Sequence, residues 1–274
     1  MASLEHKAAL VTGSARGIGR AIAERYAALG ANVVVNYSTG EAQARETVAA
    51  IERMGATAVA VQANVARVED VDRLFDAALE RFGSLDIVVA NAGVELVAHP
   101  VLDVSEEDFD RLFSINAKGA FFTLQRGARH VADNGRIIYI GSSSTAFPQA
   151  GMGAYSSSKT PGQFLVEVLA KEIGARGVTV NSILPTAIEG AGVFTDGVAT
   201  RSSSSSAPPG PSSAWEPSMT SPTPPSTSQA TSLASSAASI CSSAEALLRE
   251  PGRAPRGRRR RRPSAAPPST SSAS

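Results

Sequence analysis

Short apolar runs alternate with longer amphipathic stretches over residues 7–184. The runs are rich in Val and Ile and almost continuous, which is typical of strands buried on both faces of a parallel sheet. We predict six strands, at residues 8–12, 32–36, 57–62, 85–90, 136–140 and 178–184.

The stretches between these runs have helical periodicity. Ser105, followed by three acidic residues, is a typical helix start because a serine caps and acidic side chains suit the positive end of the dipole. We predict helices at residues 18–29, 41–54, 68–82, 106–131 and 154–176. Strict strand–helix alternation predicts an α/β, Rossmann-type, doubly wound parallel sheet in a single domain. Ligands bind such sheets at the carboxyl ends of the strands.

The composition changes after about Arg201. Residues 202–274 contain 22 Ser and 12 of the 16 Pro, with almost no apolar periodicity. We therefore predict a domain at 1–201 and a low-complexity, disordered tail at 202–274 rich in Ser, Pro and Arg.

The genetic code offers a second interpretation of this tail. Codons shifted by one base permit Arg-Met-Gly-Thr-Val-Asp-Asp at residues 214–220 and Ile-His-Leu-Leu-Val at 239–243, followed by Ser-Gly-Gly. The shifted sequence reads as a helix followed by a strand, and these are the two elements that would complete the fold. We hypothesise a one-nucleotide frameshift between about residues 201 and 211, with a genuine tail as the alternative. An intact reading frame on resequencing would reject the hypothesis.

The charge excludes several functions. Residues 1–201 carry 18 Lys and Arg against 22 Asp and Glu, so this part has no electrostatic reason to bind nucleic acid or an anionic membrane. The arginine run at 258–262 is attributed to out-of-frame, GC-rich codons, with nucleic-acid binding or a nuclear signal as the weaker alternative. No apolar run approaches the roughly 20 residues that span a bilayer, and no apolar segment of signal-peptide length precedes the first strand. Cys241 is the only cysteine, which fits a reducing compartment, and we expect a cytoplasmic protein.

A glycine-rich loop, residues 12–19, joins the first strand to the first helix. Gly13 would allow the tight turn, Gly17 would let the backbone approach a pyrophosphate, and Gly19 would permit close helix packing. The helix then offers unpaired N–H groups and a positive dipole to phosphates. The remaining predicted ligands in this loop are Ser14, Arg16 and Ile18.

The end of the second strand sets the choice between NAD(H) and NADP(H). An NAD enzyme places a carboxylate there for the ribose 2′-hydroxyl, whereas this chain has Tyr37, Ser38 and Thr39. Arg16 could face a 2′-phosphate and Ser38 could donate a hydrogen bond to it. The sequence therefore favours NADP(H) over NAD(H).

Tyr155 and Lys159 lie four residues apart at the start of a predicted helix, so they share one face. A phenol ordinarily titrates near 10, which is too high for proton exchange at neutral pH. A neighbouring ammonium, with an oxidised nicotinamide, is expected to lower that pKa. The pair predicts acid/base catalysis.

Two further polar residues are catalytic candidates. Ser142 follows the fifth strand, and its hydroxyl could hold a substrate carbonyl oxygen, although Ser143 and Ser144 are competitors. Asn116 lies in a long apolar helix, where an unbonded amide is costly. It either anchors a water that links Lys159 to solvent or is a satisfied structural amide. No metal site is expected, because the histidines lack ligand spacing: His6, His99 and His130.

Taken in order, these motifs resemble those of the short-chain dehydrogenase/reductase family. Within that family, the sequence is most similar to 3-oxoacyl-carrier-protein reductases and polyhydroxynaphthalene reductases. The resemblance covers residues 1–200 and also rests on Asn91-Ala92-Gly93 and on residues 181–185. It implies an NADP(H)-dependent oxidoreductase acting on a carbonyl or alcohol. It also implies cofactor contacts from Asn64, Val65, Asn91, Ala92, Gly93, Pro185 and the Ile188 backbone, besides Tyr37, Ser38, Tyr155 and Lys159.

The chain departs from the family's pattern at Thr186, where glycine is usual, and at Gly190, where a threonine is frequent. The family's last helix and seventh strand, which form much of its homotetramer contact, are replaced by the tail. We therefore keep an alternative: a non-catalytic dinucleotide-binding protein or an inactive frameshift product. The substrate pocket is expected at residues 145–153 and 187–198, where Phe147 and Phe194 suggest an apolar or aromatic ketone.

Overall fold

The computed structural model describes residues 3–186, and these form one parallel sheet with helices on both faces. The strand order is β3-β2-β1-β4-β5-β6, and every neighbouring pair is parallel. This confirms the predicted Rossmann-type architecture; the predicted tail lies outside the described residues. The strands are β1 (Ala8–Val11), β2 (Asn32–Tyr37), β3 (Ala58–Gln62), β4 (Ile87–Ala90), β5 (Arg136–Ile140) and β6 (Thr179–Ile183).

Six α-helices connect these strands or extend the connections. They are α1 (Gly17–Ala28), α2 (Glu41–Arg53), α3 (Val68–Phe82), α4 (Glu106–Leu112), α5 (Ala120–His130) and α6 (Gly153–Ile173). Ser105 caps α4 by accepting the backbone N–H of Asp108, as its sequence position predicts. No helix within residues 3–186 has the length and apolar character needed to cross a membrane.

Alternate strand residues face two separate cores. On one face, Val33 and Val35 pack in a cluster with residues of α1 and α2, such as Ile22 and Ile51. On the other face, Val34 packs in a cluster with residues of α3, α5 and α6. The strands are apolar on both sides for this reason, which is the pattern that the sequence shows.

The predicted helix at 106–131 is not one continuous α-helix. Between α4 and α5, the residues Phe113–Gly119 form a π-helical segment. It contains the buried Asn116, whose side chain bonds the backbone of Val94. Gly119 also lies close to a neighbouring loop, since a Cβ there would lie 2.8 Å from Val65 Cγ2. The widened turn therefore occurs where the helix contacts the ends of two strand connections.

Tyr139 is the point at which the sheet contacts α6 most closely. Its ring lies under the helix, and its hydroxyl donates to the Lys159 carbonyl oxygen at 2.9 Å. A Cβ added to Gly162 would lie 2.5 Å from Tyr139 Cζ. A glycine is therefore needed in the middle of α6, although glycine weakens helices by up to about 1 kcal/mol relative to alanine.

We predict that Gly162→Ala destabilises the chain by roughly 1–3 kcal/mol, because the methyl group overpacks against a buried, hydrogen-bonded ring. The measurement is urea unfolding followed by circular dichroism. Gly174→Ala is the matched control, since a Cβ at Gly174 meets no atom within 4 Å. Equal midpoints for Gly162→Ala and the wild type would show that α6 is not fitted to Tyr139.

Candidate active site

A cavity of about 670 Å³ lies at the carboxyl ends of the strands, where the strand order reverses between β1 and β4. This volume is within the range of small-molecule sites. Most of the predicted cofactor ligands line it: Gly13, Arg16, Gly17, Ile18, Gly19, Tyr37, Ser38, Asn64, Val65, Asn91, Ala92, Gly93, Tyr155 and Lys159. The structure thus brings together the loops on which the sequence prediction depends.

The glycine loop has the backbone shape that its sequence predicts. Gly13 and Gly17 have positive φ angles of 62° and 57°, which L side chains rarely adopt. Gly19 is required for space instead, because a Cβ there would lie 2.4 Å from the Gly13 carbonyl oxygen. The tight turn and the close helix packing expected of these glycines are therefore both present.

Two amide side chains hold this loop in place. Asn36 accepts the backbone N–H of Gly13 at 3.0 Å and donates to the Ala63 carbonyl oxygen at 3.0 Å. Asn91 donates to the carbonyl oxygens of Thr12 and Gly13 at 2.8 and 3.1 Å. The ends of β1, β2, β3 and β4 are thereby tied together. Asn91 was expected to support a ribose, whereas its amide in this structure braces the loop.

The amino end of α1 faces the cavity without a side-chain cap. Arg16 occupies the N-cap position, makes no capping hydrogen bond and has an exposed side chain. The first backbone N–H groups of α1 and the helix dipole thus favour an anion here. Because Gly17 leaves the approach open, this loop fits a pyrophosphate. Ser14 is fully buried; its hydroxyl donates to the Val11 carbonyl oxygen at 2.7 Å, so it supports the loop from inside.

The far wall of the cavity is formed by the end of β2 and the loop after β3. Tyr37 is buried, while Ser38 and Thr39 are exposed beside Arg16 at the same cavity. Among the described lining residues, Glu95 is the only acid, and it belongs to the loop after β4. Asn64 is exposed, and its backbone N–H donates to Asp70 at 2.9 Å, which fixes the turn before α3.

Tyr155 and Lys159 extend from the first turns of α6 into the same cavity, and both are buried. Lys159 Nζ donates to the Ile140 carbonyl oxygen at 3.2 Å and lies 5.7 Å from the centre of the Tyr139 ring. A Cβ on Gly93 would lie 2.8 Å from Lys159 Nζ. A side chain at position 93 would therefore displace the lysine ammonium from its present position.

The electrostatics differ from the expectation that the lysine makes the phenol acidic. Burial, followed by the charge of Glu95, raises the pKa of Tyr155 to about 12, and a hydrogen bond from Ser142 opposes this. Burial lowers the pKa of Lys159 to about 8, against the favourable charge of Glu95. The protein alone therefore does not activate the phenol. An acidic phenol would require additional positive charge in the cavity, as an oxidised nicotinamide would supply.

Asn116 is fully buried, and its amide is satisfied. Oδ1 accepts the Val94 backbone N–H at 2.8 Å, while Nδ2 donates to the Val94 carbonyl oxygen at 2.8 Å and to Ser158 Oγ at 2.9 Å. Ser158 in turn donates to the Tyr155 carbonyl oxygen at 2.7 Å. Of the two alternatives left by the sequence, these contacts favour the structural amide, with the side chain connecting the β4 loop to α6.

Ser142 follows β5 and is buried, and hydrogen bonding by its hydroxyl acts to lower the pKa of the Tyr155 phenol. Its oxygen also accepts the Ser144 backbone N–H at 3.3 Å. Of its two competitors, Ser144 is buried and bonds Ser142 rather than Tyr155, while the Ser143 backbone donates to Pro185. Of the three serines, Ser142 is the one that influences the Tyr155 phenol, although it is not among the residues that line the cavity.

Several important residues were missed at the level of sequence. Glu95 lacks a motif that would single it out, and Asn36 was noticed only because it is not an acid. Tyr139 reads as an ordinary strand residue, and Ser158 lies within the Tyr155–Lys159 segment without any assigned role. A polar residue directly after a buried strand was the available signal for Asn36.

Other expectations remain predictions. Pro185 is buried and accepts the Ser143 N–H, but it does not line the cavity. Ile188, Gly190 and Phe194 lie outside the described residues. Phe147 is described and is 70% exposed. Within residues 3–186, no group of three His, Cys, Asp or Glu side chains is arranged to hold a metal ion.

Comparison with known proteins agrees with this geometry. The family described as short chain dehydrogenase matches residues 7–198. The chain is 46% identical over 184 residues to the short chain dehydrogenase/reductase AacuN of Aspergillus aculeatus, covering 66% of this chain and 69% of that protein. It is 43% identical over 190 residues to the hydroxynaphthalene reductase-like protein Arp2 of Metarhizium brunneum, covering 68% and 70%.

A solved structure is similar as well. The landomycin C-6 ketoreductase LanV with bound NADP and rabelomycin has a TM-score of 0.66 and 39% identity, covering 70% of this chain and 81% of that chain. A glycine loop at the switch point of a parallel sheet, with a buried tyrosine and lysine beside it, defines a dinucleotide-dependent oxidoreductase. The chain belongs to the short-chain dehydrogenase family, which confirms the resemblance stated from the sequence.

We predict that Lys159→Met stabilises the chain at pH 7, because the wild type buries a cation whose pKa lies at about 8 rather than 10.5. Between these two values the unfolded chain binds more protons than the folded chain, so wild-type stability rises with pH. The free energy of unfolding of Lys159→Met should exceed that of the wild type by on the order of 1–3 kcal/mol at pH 7, and this difference should decrease from pH 8 to 10.5.

The measurement is denaturant unfolding at a series of pH values. Lys171→Met, which removes an exposed lysine from the same helix, is the control and should track the wild type. Parallel pH profiles for Lys159→Met and the wild type would show that the ammonium is not desolvated.

Proposed function

We propose that this protein is an NADP(H)-dependent ketone reductase that transfers hydride between a nicotinamide and a carbonyl or alcohol substrate. The observation that carries the proposal is that Tyr155 and Lys159 enter the same cavity as the glycine loop. A phosphate cradle and an acid/base pair within one cleft are the two parts that such a reaction needs.

The residues have distinct roles in this proposal. Tyr155 exchanges a proton with the substrate oxygen, and Ser142 donates a hydrogen bond to the same oxygen. Lys159 holds positive charge beside the phenol and supplies donors to a ribose. Asn116 acts as a positioning residue through Val94 and Ser158. The bound nicotinamide supplies or accepts the hydride.

NADP(H) is favoured over NAD(H) because the cavity wall at the end of β2 presents hydroxyl groups and no carboxylate. Arg16 is exposed at this wall, and Ser38 is exposed beside it. A guanidinium forms strong, charge-assisted hydrogen bonds to phosphate oxygens. The bound NADP in the LanV structure supports the same choice.

An aromatic or polycyclic ketone is the substrate class that we favour. LanV was crystallised with rabelomycin, and another relative is named as hydroxynaphthalene reductase-like. Phe147 lies near the end of the hydroxyl-rich loop after β5, where it offers an apolar surface. We propose that the protein is soluble and cytoplasmic, and that the homotetramer which the family suggests requires the C-terminal contact region that the tail replaces in this chain.

One observation favours the alternative, which is a non-catalytic dinucleotide-binding protein or an inactive frameshift product. The family match ends at residue 198, and about 30% of AacuN lies outside the aligned region. The Ser/Pro-rich composition begins at nearly the same place. Turnover has to be tested both on the chain as written and on a version with the reading frame restored.

We predict that Tyr155→Phe lowers kcat at least roughly 100-fold, because it removes the proton donor, whereas the NADPH Kd changes by less than about threefold. Turnover is followed by NADPH absorbance with a panel of aromatic ketones, and binding is followed by NADPH fluorescence. Turnover by Tyr155→Phe equal to wild type rejects the catalytic assignment. NADPH binding without turnover in the frame-restored wild type favours the non-catalytic alternative.

We predict that Arg16→Ala weakens NADPH binding by roughly tenfold to a hundredfold and leaves NADH binding nearly unchanged, because only NADPH carries the 2′-phosphate. The effect should shrink as salt rises. Arg20→Ala is the matched control, since Arg20 pairs with Glu24 at 2.8 Å and does not line the cavity. Equal losses for both cofactors would contradict the role of Arg16.

A further inference from the structure

Three serine hydroxyls form a continuous chain that leads from Tyr155 toward the protein surface. Ser142 Oγ and Ser144 Oγ are 2.9 Å apart, and Ser156 Oγ donates to Ser144 Oγ at 2.9 Å. Ser142 and Ser144 are buried, whereas Ser156, on the first turn of α6, is half-buried. We refer to Ser142, Ser144 and Ser156 as the serine chain.

The hydrogen bonds of the serine chain fit one direction. Each hydroxyl has one proton and can accept two hydrogen bonds. Ser144 accepts the proton of Ser156, so its own proton needs an acceptor, and Ser142 Oγ is the acceptor at 2.9 Å. With the Ser144 backbone N–H at 3.3 Å, Ser142 Oγ then accepts two bonds, and its own proton is left for Tyr155.

The opposite direction is unfavourable. If Ser142 donated to Ser144, the Ser144 oxygen would accept from both neighbours and its own proton would have no acceptor among the described contacts. Ser144 is 5% exposed, so water does not readily replace that acceptor. A buried donor without a partner costs about 1–3 kcal/mol.

We propose that Ser144 and Ser156 are positioning residues that orient the Ser142 hydroxyl as a hydrogen-bond donor toward Tyr155, which lines the cavity. The inference rests on the proposed function, in which Ser142 holds the substrate oxygen. Successive hydroxyl donors polarise one another, so the chain also makes the Ser142 proton a stronger donor. A donor whose direction is fixed in advance need not reorient when charge develops on that oxygen.

The surroundings of Tyr155 give this orientation its importance. Glu95 acts on the phenol from the loop after β4, Tyr139 faces it from β5, and Lys159 lies on the same helix. The Glu95 carboxylate raises the pKa of the phenol and so disfavours the phenolate, and burial disfavours the phenolate as well. The hydrogen bond from Ser142 favours the phenolate, so a serine turned toward Ser144 would withdraw that support.

A purely structural role for Ser144 makes different predictions. Ser142 is the N-cap of the short 3₁₀ turn Ser143–Thr145, and the backbone N–H of Ser144 makes that capping bond. Ser144→Ala retains this N–H and removes only the hydroxyl. Ser144→Thr restores a hydroxyl at the same position. The pair therefore separates loss of the serine chain from loss of the turn.

The first test is steady-state reduction of an aromatic ketone by NADPH. Ser144→Ala should lower kcat about tenfold, which corresponds to one oriented hydrogen bond, with KM within about twofold. Ser144→Thr should recover most of kcat, and Ser156→Ala should lose less than Ser144→Ala. Ser157→Ala, at the exposed neighbouring serine, should match the wild type. Unchanged kcat in Ser144→Ala overturns the proposal.

The second test does not depend on turnover. In the full chain labelled with tyrosine ¹³Cζ, the Tyr155 resonance is assigned from its loss in Tyr155→Phe. Ser142→Ala and Ser144→Ala should shift this resonance in the same direction at neutral pH, because both weaken the hydrogen bond to the phenol oxygen. Ser144→Thr should return it toward its wild-type position, and Ser157→Ala should leave it in place.

A Tyr155 resonance that moves in Ser142→Ala but not in Ser144→Ala overturns the serine chain. A resonance that moves in neither variant also overturns the proposal, because Ser142 then makes no hydrogen bond to the phenol. Lack of turnover by the wild type would reject the proposed function alone, since the ¹³C measurement still decides the orientation of Ser142.

Discussion

The ammonium group of Lys159, which is almost wholly removed from water, constrains everything around it. A buried cation needs polar partners, because desolvation of a charge is costly. The Ile140 carbonyl oxygen accepts one of its protons, the Tyr139 ring lies beneath it, and the charge of Glu95 favours its protonated form. The absence of a side chain at Gly93 leaves space for the ammonium in this position. One charge thus links β5, α6 and the loop after β4.

Amide side chains near the cavity are used mainly to fix backbone positions. Asn36 and Asn91 hold the glycine loop, and Asn116 holds Val94. An amide side chain has both donor and acceptor atoms and can make several hydrogen bonds, so one residue can join two loops that follow different strands. The glycine loop and the start of α1, which line the cleft, are thereby held by side chains from neighbouring strand ends.

The sequence was sufficient for the fold, because two-faced apolar strands and amphipathic helices have distinct periods. The helix at 68–82 and the strand at 136–140 were predicted to the residue. The π-helical segment was not, since it reflects the contacts of Asn116 with Val94 rather than a local residue preference. Likewise, the raised pKa of Tyr155 depends on Glu95, which the fold brings near from a distant part of the chain.

The bonds from Asn116 to Val94 and Ser158 have a mechanical consequence. The loop after β4 and the first turns of α6 are connected through one rigid amide, so neither can shift without pulling on the other. A bulky molecule that pushed Val94 outward would also drag the tyrosine helix and misalign its phenol.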